Sequence, residues 1–206
     1  MRDVSPDPSR PLIRVALVDD HDAVRLGLRT ALLAAPDLEP VGSAATAGEA
    51  APLLYRARPD VVVVDYRLPG IDGLTLCRRI KSEPLAPGVV LFSAFADSAM
   101  TVPAIVAGVD ALVGKGEQTR DLFEAIRRAA RGEATLPEVA PAQLEAAGQE
   151  VDAEDLPLLG MLVHRTARAE IAATLRIERS ELERRITGML ARLKVASPEA
   201  HAGVRT

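Results

Sequence analysis

The sequence predicts an α/β domain built on a five-stranded parallel, doubly wound sheet, followed by a small all-α domain. Short apolar runs alternate five times with segments of helical periodicity, and the third run, VVVV (61–64), is apolar at every position. Beyond residue 150 the apolar periodicity is helical throughout. We therefore divide the chain into a tail (1–11), a sheet domain (12–131), a linker (132–150) that includes a short helix, and a helical domain (151–206).

Each predicted strand is a short apolar run bounded by polar residues or turn signals. The runs are LIRVALV (12–18), LEPVGSA (38–44), VVVV (61–64), VVLFS (89–93) and DALVG (110–114). The segments that follow them have helical character, at 22–35, 47–57, 73–82, 97–107 and 118–131. Pro103 is expected to shorten or kink the fourth of these helices. The alternation predicts helices on both faces of the sheet.

Composition and charge limit the class of protein. The chain is 48% hydrophobic and 26% charged, which is typical of a globular protein. The net charge of −4 combines −5 over residues 1–150 with +1 over residues 151–206, which suggests two units with different partners. Cys77 is the only cysteine and is expected to be a buried thiol in a reducing compartment. The sequence shows no signal peptide or membrane-spanning run, so we expect a cytoplasmic protein.

Three carboxylates fall at the ends of predicted strands. Asp19 and Asp20 follow the first strand, and Asp65 follows the third. Because the carboxyl ends of neighbouring parallel strands lie at one edge of a sheet, the three side chains are expected to converge. Carboxylates that lie close together repel one another, and a hard divalent cation with oxygen ligands is the natural compensation. The pattern therefore predicts a Mg²⁺ site.

A hydroxyl group and an ammonium group complete a predicted site for phosphoryl transfer. Ser93 ends the fourth strand, and Lys115 follows the fifth. Lys115 and a metal ion can neutralise phosphoryl oxygens, while Ser93 donates a hydrogen bond to one of them. Asp65 can then act as the nucleophile and form an aspartyl-phosphate. No Ser/His/Asp arrangement or glycine-rich phosphate loop is evident, so no separate enzyme activity is expected.

The motifs VALVDDH, VVVVDYRLPGIDG, VVLFSAF and ALVGK resemble those of the receiver domains of two-component response regulators. The resemblance implies a flavodoxin-like sheet and transfer of a phosphoryl group from a sensor histidine kinase to Asp65. It also implies that Asp20, Asp65 and the backbone carbonyl of Arg67 bind Mg²⁺ directly, while Asp19 acts largely through water. Leu112 departs from the pattern, since the family usually has an aromatic residue or histidine there.

The stretch RAEIAATLRIERSELERRITGMLARLKV predicts a helix-turn-helix in the second domain. A helix over 168–175 and a longer recognition helix over 179–193 are joined at Arg176-Ile177. The spacing resembles the LuxR-type helix-turn-helix of NarL/FixJ response regulators. That resemblance implies that the recognition helix enters the major groove of DNA. It also implies that a last helix, beginning at Ser197-Pro198, builds a dimer.

Three residues conflict with the elements predicted around them. Pro157 is expected about five residues inside the first helix of the second domain, which lowers the quality of that helix. Gly188 lies within the recognition helix and costs roughly 1 kcal/mol relative to alanine. Arg176 takes the place of the usual glycine in the turn, so a φ above zero would strain the backbone there.

Polar residues on the recognition helix and beside it are the candidate DNA contacts. Arg184 could bind guanine, and the other candidates are Arg168, Arg179, Arg185, Thr187 and Arg192. Glu181 and Glu183 stand where the family usually has Thr and Lys. An alternative interpretation treats these charges as solvated and paired along the helix, as in Glu181 with Arg185.

The sequence leaves two functions open. In the first, the protein is a transcriptional response regulator, and phosphorylation of Asp65 changes its affinity for promoter DNA. Its active form is then expected to be a homodimer. In the second, the protein is a phosphorylation-controlled interaction regulator whose helix-turn-helix has lost sequence-specific DNA binding.

Overall fold

A computed structural model describes residues 11–94, 96 and 98–193. These residues form two compact units, which do not follow a single division of the chain. The first unit takes in the chain up to Ala96 together with Gly108–Leu136. The second takes in residues 98–107 together with the chain from Pro137 onward. The predicted tail and the predicted last helix, beyond residue 196, lie outside the described residues.

Five strands and nine helices follow one another in the described part of the chain. In chain order they are β1 (Ile13–Val18), α1 (Asp22–Leu33), β2 (Leu38–Ala44), α2 (Ala47–Ala57), β3 (Val61–Asp65), α3 (Gly73–Lys81), β4 (Gly88–Ser93), α4 (Thr101–Ala107), β5 (Ala111–Gly114), α5 (Thr119–Ala130), α6 (Pro141–Glu150), α7 (Leu156–Val163), α8 (Arg168–Leu175) and α9 (Arg179–Leu193). Short 3-10 helices at Ser98–Met100 and Ala153–Asp155 precede α4 and α7.

The sheet of the first unit has the strand order β2-β1-β3-β4-β5, and every neighbouring pair is parallel. The fold class predicted from the sequence is therefore confirmed. All five residues of β3 are buried, as expected for a central strand that is covered on both faces. The register aligns Val18 with Val64, and Asp65 with Phe92. The chain after β1 and the end of β3 consequently emerge side by side at one edge of the sheet.

The helices of the first unit cover the sheet with apolar stripes. Leu122, Ile126 and Ala129 of α5 are buried in the same apolar core as the strands. Asp72 begins α3 by accepting a hydrogen bond from the Thr75 backbone N–H, a usual N-terminal cap. Cys77 of α3 is fully buried, as predicted, and burial raises the pKa of its thiol.

The second unit contains helix α4, although this helix lies between β4 and β5 in the sequence. Its seven residues are all buried, and α4 packs against α7 and α9 within the unit. Pro103 is the third residue of α4, so its missing N–H falls in the first turn, where no intrahelical acceptor is available. The structure thus confirms a helix shorter than the predicted range of 97–107.

The prediction that Pro157 lies well inside a helix was wrong. Helix α7 begins at Leu156, so Pro157 is its second residue. Proline is favourable in the first turn because its fixed φ suits a helix and its missing N–H would have no partner. The preceding residues, Ala153–Asp155, instead form the 3-10 turn.

The helix-turn-helix has the bounds predicted for it, with α8 over Arg168–Leu175 and α9 over Arg179–Leu193. Arg176 ends α8 in the left-handed conformation, with φ 55° and ψ 42°. Its backbone N–H donates to Ala173 O, and the Ile177 N–H donates to Ala172 O. Five apolar side chains of α9 are buried and form its inner face: Leu182, Ile186, Met189, Leu190 and Leu193.

Candidate functional site

An acidic cluster lies at the carboxyl edge of the sheet. Asp19 follows β1 directly, and Asp65 is the last residue of β3. Side-chain ligand atoms of Asp19, Asp20, His21 and Asp65 all lie within 4.8 Å of one another. Asp19 and Asp65 are almost completely buried, whereas Asp20 is exposed. The structure thus brings the three predicted carboxylates together and adds an imidazole.

Lys115 joins two of these carboxylates. Its Nζ lies 2.7 Å from Asp19 Oδ2 and 2.9 Å from Asp65 Oδ2. The ammonium group also lies 5.9 Å from the centre of the Phe92 ring, within the range of a cation–π contact. Lys115 therefore pairs with two of the three clustered carboxylates, and negative charge is left in excess.

The pKa values in this cluster reflect the balance between burial and pairing. Burial raises the pKa of Asp65, and the proximity of Asp19 raises it further, although Lys115 acts in the opposite direction. Burial alone would lower the pKa of Lys115, but its hydrogen bonds to Asp19 and Asp65 outweigh that effect and raise it. The lysine is therefore held in its charged form beside the Asp65 carboxylate.

Ser93 and Arg67 also lie at this edge of the sheet. Ser93 is fully buried at the end of β4, and its carbonyl accepts a hydrogen bond of 2.8 Å from the Lys115 backbone N–H. The Arg67 backbone hydrogen-bonds to the Asp65 carboxylate. Leu112, where the family usually has a ring, is half-buried on β5 and aligned with Leu91 of β4.

His21 follows the acidic pair in the sequence, which places it at the rim of the predicted site, where a helix-start residue is expected more often than a proton donor. It does precede the first residue of α1, and its backbone N–H donates to Asp19 Oδ1 at 2.8 Å. Its Nδ1 also lies 2.7 Å from Asp20 Oδ1 and 3.3 Å from Asp19 Oδ1. The imidazole therefore belongs to the acidic cluster.

Gly73 lies against the backbone of Asp65 and was not identified as a site residue from the sequence. Its backbone N–H donates to Tyr66 O at 2.7 Å, which ties the start of α3 to the chain after β3. A Cβ atom at Gly73 would lie 2.0 Å from the Asp65 carbonyl oxygen, so only glycine fits without a backbone shift. A glycine immediately after a capping aspartate, in IDG, was the available signal.

The candidate DNA contacts are mostly engaged in ion pairs within the second unit. Arg168 of α8 binds Glu183 of α9 at 2.8 Å, and Arg184 binds Glu181 at 2.5 Å. Two further pairs join α9 to the segment before α7, namely Arg185 with Asp155 and Arg192 with Asp152. Thr187 is exposed and its hydroxyl donates to Glu183 O, and Arg179 is exposed and also has an interaction partner.

The pairing along the recognition helix differs from the pairing suggested by spacing. Glu181 binds Arg184, three residues on, rather than Arg185. Arg185 turns instead to the buried Asp155, with 2.6 Å between its Nε and Asp155 Oδ1, and also donates to the Glu154 carbonyl. The tertiary partner is favoured because a buried carboxylate needs a partner more than a solvated one does.

Three comparisons with known proteins are consistent with this site and fold. The family model of the response regulator receiver domain matches residues 15–127. The transcriptional regulatory protein LiaR of Bacillus subtilis is 29% identical over 90% of this chain and 92% of its own length. The DNA-binding transcriptional activator DevR/DosR of Mycobacterium tuberculosis is 34% identical over 88% of each chain.

A solved structure extends the similarity to the type of regulator. It is a two-component response regulator of the LuxR family from Aurantimonas sp. SI85-9A1, with 34% identity and a TM-score of 0.58. The match covers 66% of this chain and 97% of that one. The chain belongs to the response regulator receiver family, and within it to the NarL/LuxR type, as the sequence motifs predicted. In the described residues, no helix is both long and apolar enough to cross a membrane.

Proposed function

We propose that this protein is a cytoplasmic transcriptional response regulator. It accepts a phosphoryl group on Asp65 from a sensor histidine kinase, and its helix-turn-helix binds promoter DNA. The observation that carries the proposal is the convergence of Asp19, Asp20, Asp65 and Lys115 at the carboxyl edge of the sheet. We expect no separate catalytic reaction.

The chemistry follows from the placement of these side chains. A carboxylate oxygen of Asp65 forms a bond to phosphorus while the bond from phosphorus to the kinase histidine nitrogen breaks, and the electron pair of that bond returns to the nitrogen. Lys115 already contacts Asp65, so its positive charge is in place for the phosphoryl oxygens that arrive. The Ser93 hydroxyl is proposed to donate a hydrogen bond to one of these oxygens.

The donor set suits Mg²⁺. Its potential protein ligands are the carboxylates of Asp19, Asp20 and Asp65 and the backbone carbonyl of Arg67, all of them hard oxygen ligands. The charge balance fits as well, because Lys115 alone does not neutralise three carboxylates. When bound, the cation would offset negative charge on the carboxylates and on the phosphoryl group.

Binding of DNA is assigned to the helix-turn-helix, with a homodimer as the active form. The relative DevR/DosR is named as a DNA-binding transcriptional activator and aligns over 88% of this chain, including most of the second unit. The recognition helix α9 keeps its apolar face buried and its opposite face exposed. This support favours the DNA-binding function over the alternative of a regulator that only binds proteins. The proposed contacts are Arg168, Arg179, Arg184, Arg185, Thr187 and Arg192.

Mass spectrometry of the intact protein tests the phosphorylation step. Incubation with a small phosphodonor and Mg²⁺ is expected to add the mass of one phosphoryl group to the wild type and none to Asp65→Asn. Asp121→Asn, at an exposed position on α5, is the matched control and should be phosphorylated like the wild type. Equal phosphorylation of Asp65→Asn and wild type would refute the assignment.

A further inference from the structure

Arg176 is one of three arginines with a left-handed backbone in the part of the chain that the structure describes. It is an exposed, long and charged side chain, and its backbone is in the left-handed region, with φ 55°. That conformation is unfavourable for a residue with a Cβ atom, whereas glycine adopts it readily. The turn itself requires the conformation, because the Arg176 and Ile177 N–H groups close the end of α8 on Ala173 and Ala172.

The neighbouring arginines differ from Arg176 in their pairing. Four arginines of the second unit bind carboxylates: Arg168, Arg184, Arg185 and Arg192. Arg165 and Arg179 also have interaction partners. Over residues 137–193 as the structure describes them, Arg176 is the one arginine whose side chain has neither an ion pair nor a hydrogen bond. Its charge can therefore meet a phosphate without first breaking an internal pair.

The position of Arg176 suits such a contact. It stands in the turn between α8 and α9, three residues before the first residue of the recognition helix. In helix-turn-helix proteins this helix enters the major groove, and residues around it bind the phosphates on either side. The four arginines that pair with carboxylates would have to exchange that partner for a phosphate, which reduces their net gain.

We propose that Arg176 binds a backbone phosphate of DNA, and that this contact is why a strained arginine occupies a turn that glycine would fit better. The inference rests on the proposed DNA-binding function and adds to it a residue outside the recognition helix. Observed strain points to a functional residue when the rest of the turn holds the conformation in place.

The test measures binding of the full chain to a mixed-sequence DNA duplex by fluorescence anisotropy across a range of salt concentrations. A non-specific duplex suffices because phosphate contacts do not depend on sequence. We expect Arg176→Gly to bind more weakly than the wild type and to have a salt slope smaller by about 0.9, the value for one lost phosphate contact. Arg176→Lys, which keeps the charge, should retain most of the slope.

Arg58→Gly is the matched control. Arg58 is also exposed and left-handed, with φ 43°, but it ends α2 in the first unit. The control should bind DNA like the wild type. Thermal unfolding should show Arg176→Gly at least as stable as the wild type, which would separate weaker binding from misfolding.

Two outcomes would overturn the inference, and they differ in what else they overturn. If Arg176→Gly binds with the affinity and salt slope of a wild type that does bind DNA, Arg176 is not a phosphate contact and the proposed function stands. If the wild type shows no salt-dependent DNA binding under any condition tested, the inference and the DNA-binding function fail together.

Discussion

Charged residues are arranged in opposite ways at the receiver site and on the recognition helix. At the receiver site Lys115 pairs with two nearly buried carboxylates and a third, Asp20, lies beside them, so negative charge is left in excess. On and around α9, most arginines are matched with a carboxylate of the same unit. Residue type alone therefore does not identify a site. The excess of negative charge at the receiver site favours binding of a cation, whereas the charges around α9 largely offset one another.

The backbone shows the same contrast. Gly73 is pressed against the Asp65 carbonyl, while the space around Gly188 of α9 is open. An added side-chain atom therefore has no space at Gly73 beside the receiver site, whereas the exposed face of the recognition helix has space for one at Gly188.

Alanine substitution at the two glycines should have effects of opposite sign. We expect Gly73→Ala to lower the free energy of unfolding by about 3 kcal/mol, because its Cβ atom would displace backbone at the phosphoryl-acceptor site. We expect Gly188→Ala to raise it by about 1 kcal/mol through better helix propensity. Chemical denaturation followed by circular dichroism measures both. A Gly73→Ala protein as stable as the wild type would contradict the tight packing described for this site.

Removing one cation from each region should lower the free energy of unfolding by clearly different amounts. Lys115→Met is expected to lower the free energy of unfolding by about 2 kcal/mol, because it leaves two buried carboxylates without their hydrogen-bonded cation. Added Mg²⁺ should recover part of that loss. Arg184→Met breaks an exposed pair and should leave the unfolding free energy nearly unchanged. Equal losses of unfolding free energy in the two variants would contradict the distinction between the buried Lys115 pairs and the exposed Arg184 pair.

The two glutamates of α9 should also behave differently. Glu183 and Arg168 are each less than a third exposed, and their ion pair joins α8 to α9. Glu183→Lys removes this pair and places two cations together, so we expect it to lower the free energy of unfolding by about 1–2 kcal/mol. Glu181→Lys affects a pair within one helix and should change stability little. The charge swap of Arg168→Glu with Glu183→Arg should restore stability. Failure of the swap to do so would argue against a direct pair.

The raised pKa of Asp65 predicts a small, pH-dependent change in the free energy of unfolding. Because the folded state holds the ionised carboxylate less favourably than the unfolded state does, ionised Asp65 destabilises the fold at neutral pH. Asp65→Asn should therefore be more stable than the wild type at pH 7 in the presence of a chelator. The difference should shrink as the pH falls toward the unfolded carboxyl pKa of about 4. A difference that is constant with pH would indicate another cause.

The sequence predicted the fold and the receiver cluster well because both follow from the geometry of parallel sheets. Runs such as VVVV, short, β-branched and fully apolar, are typical of central strands, and residues after neighbouring parallel strands meet at one edge of the sheet. Asp19 and Lys115 are 96 positions apart, yet their strand-end positions alone placed them together. Helix bounds such as 168–175 and 179–193 followed from apolar spacing and were confirmed.

Sequence periodicity does not predict which side chains pair or where two backbone segments approach closely. The choice of Asp155 over Glu181 by Arg185 depends on a tertiary contact across 30 positions. The close approach of Gly73 to Asp65 depends on where α3 begins relative to β3. The inclusion of α4 in the second unit also had no local signal, since an apolar run does not indicate which unit will bury it.

The central claim is that the state of Asp65 controls DNA binding by the second unit. The most direct measurement is the affinity of the full chain for genomic DNA fragments at low salt, before and after treatment with a phosphodonor and Mg²⁺. We predict that phosphorylation changes the affinity for a defined subset of fragments in the wild type and not in Asp65→Asn. The same weak, sequence-independent affinity in both states of the wild type would contradict the claim.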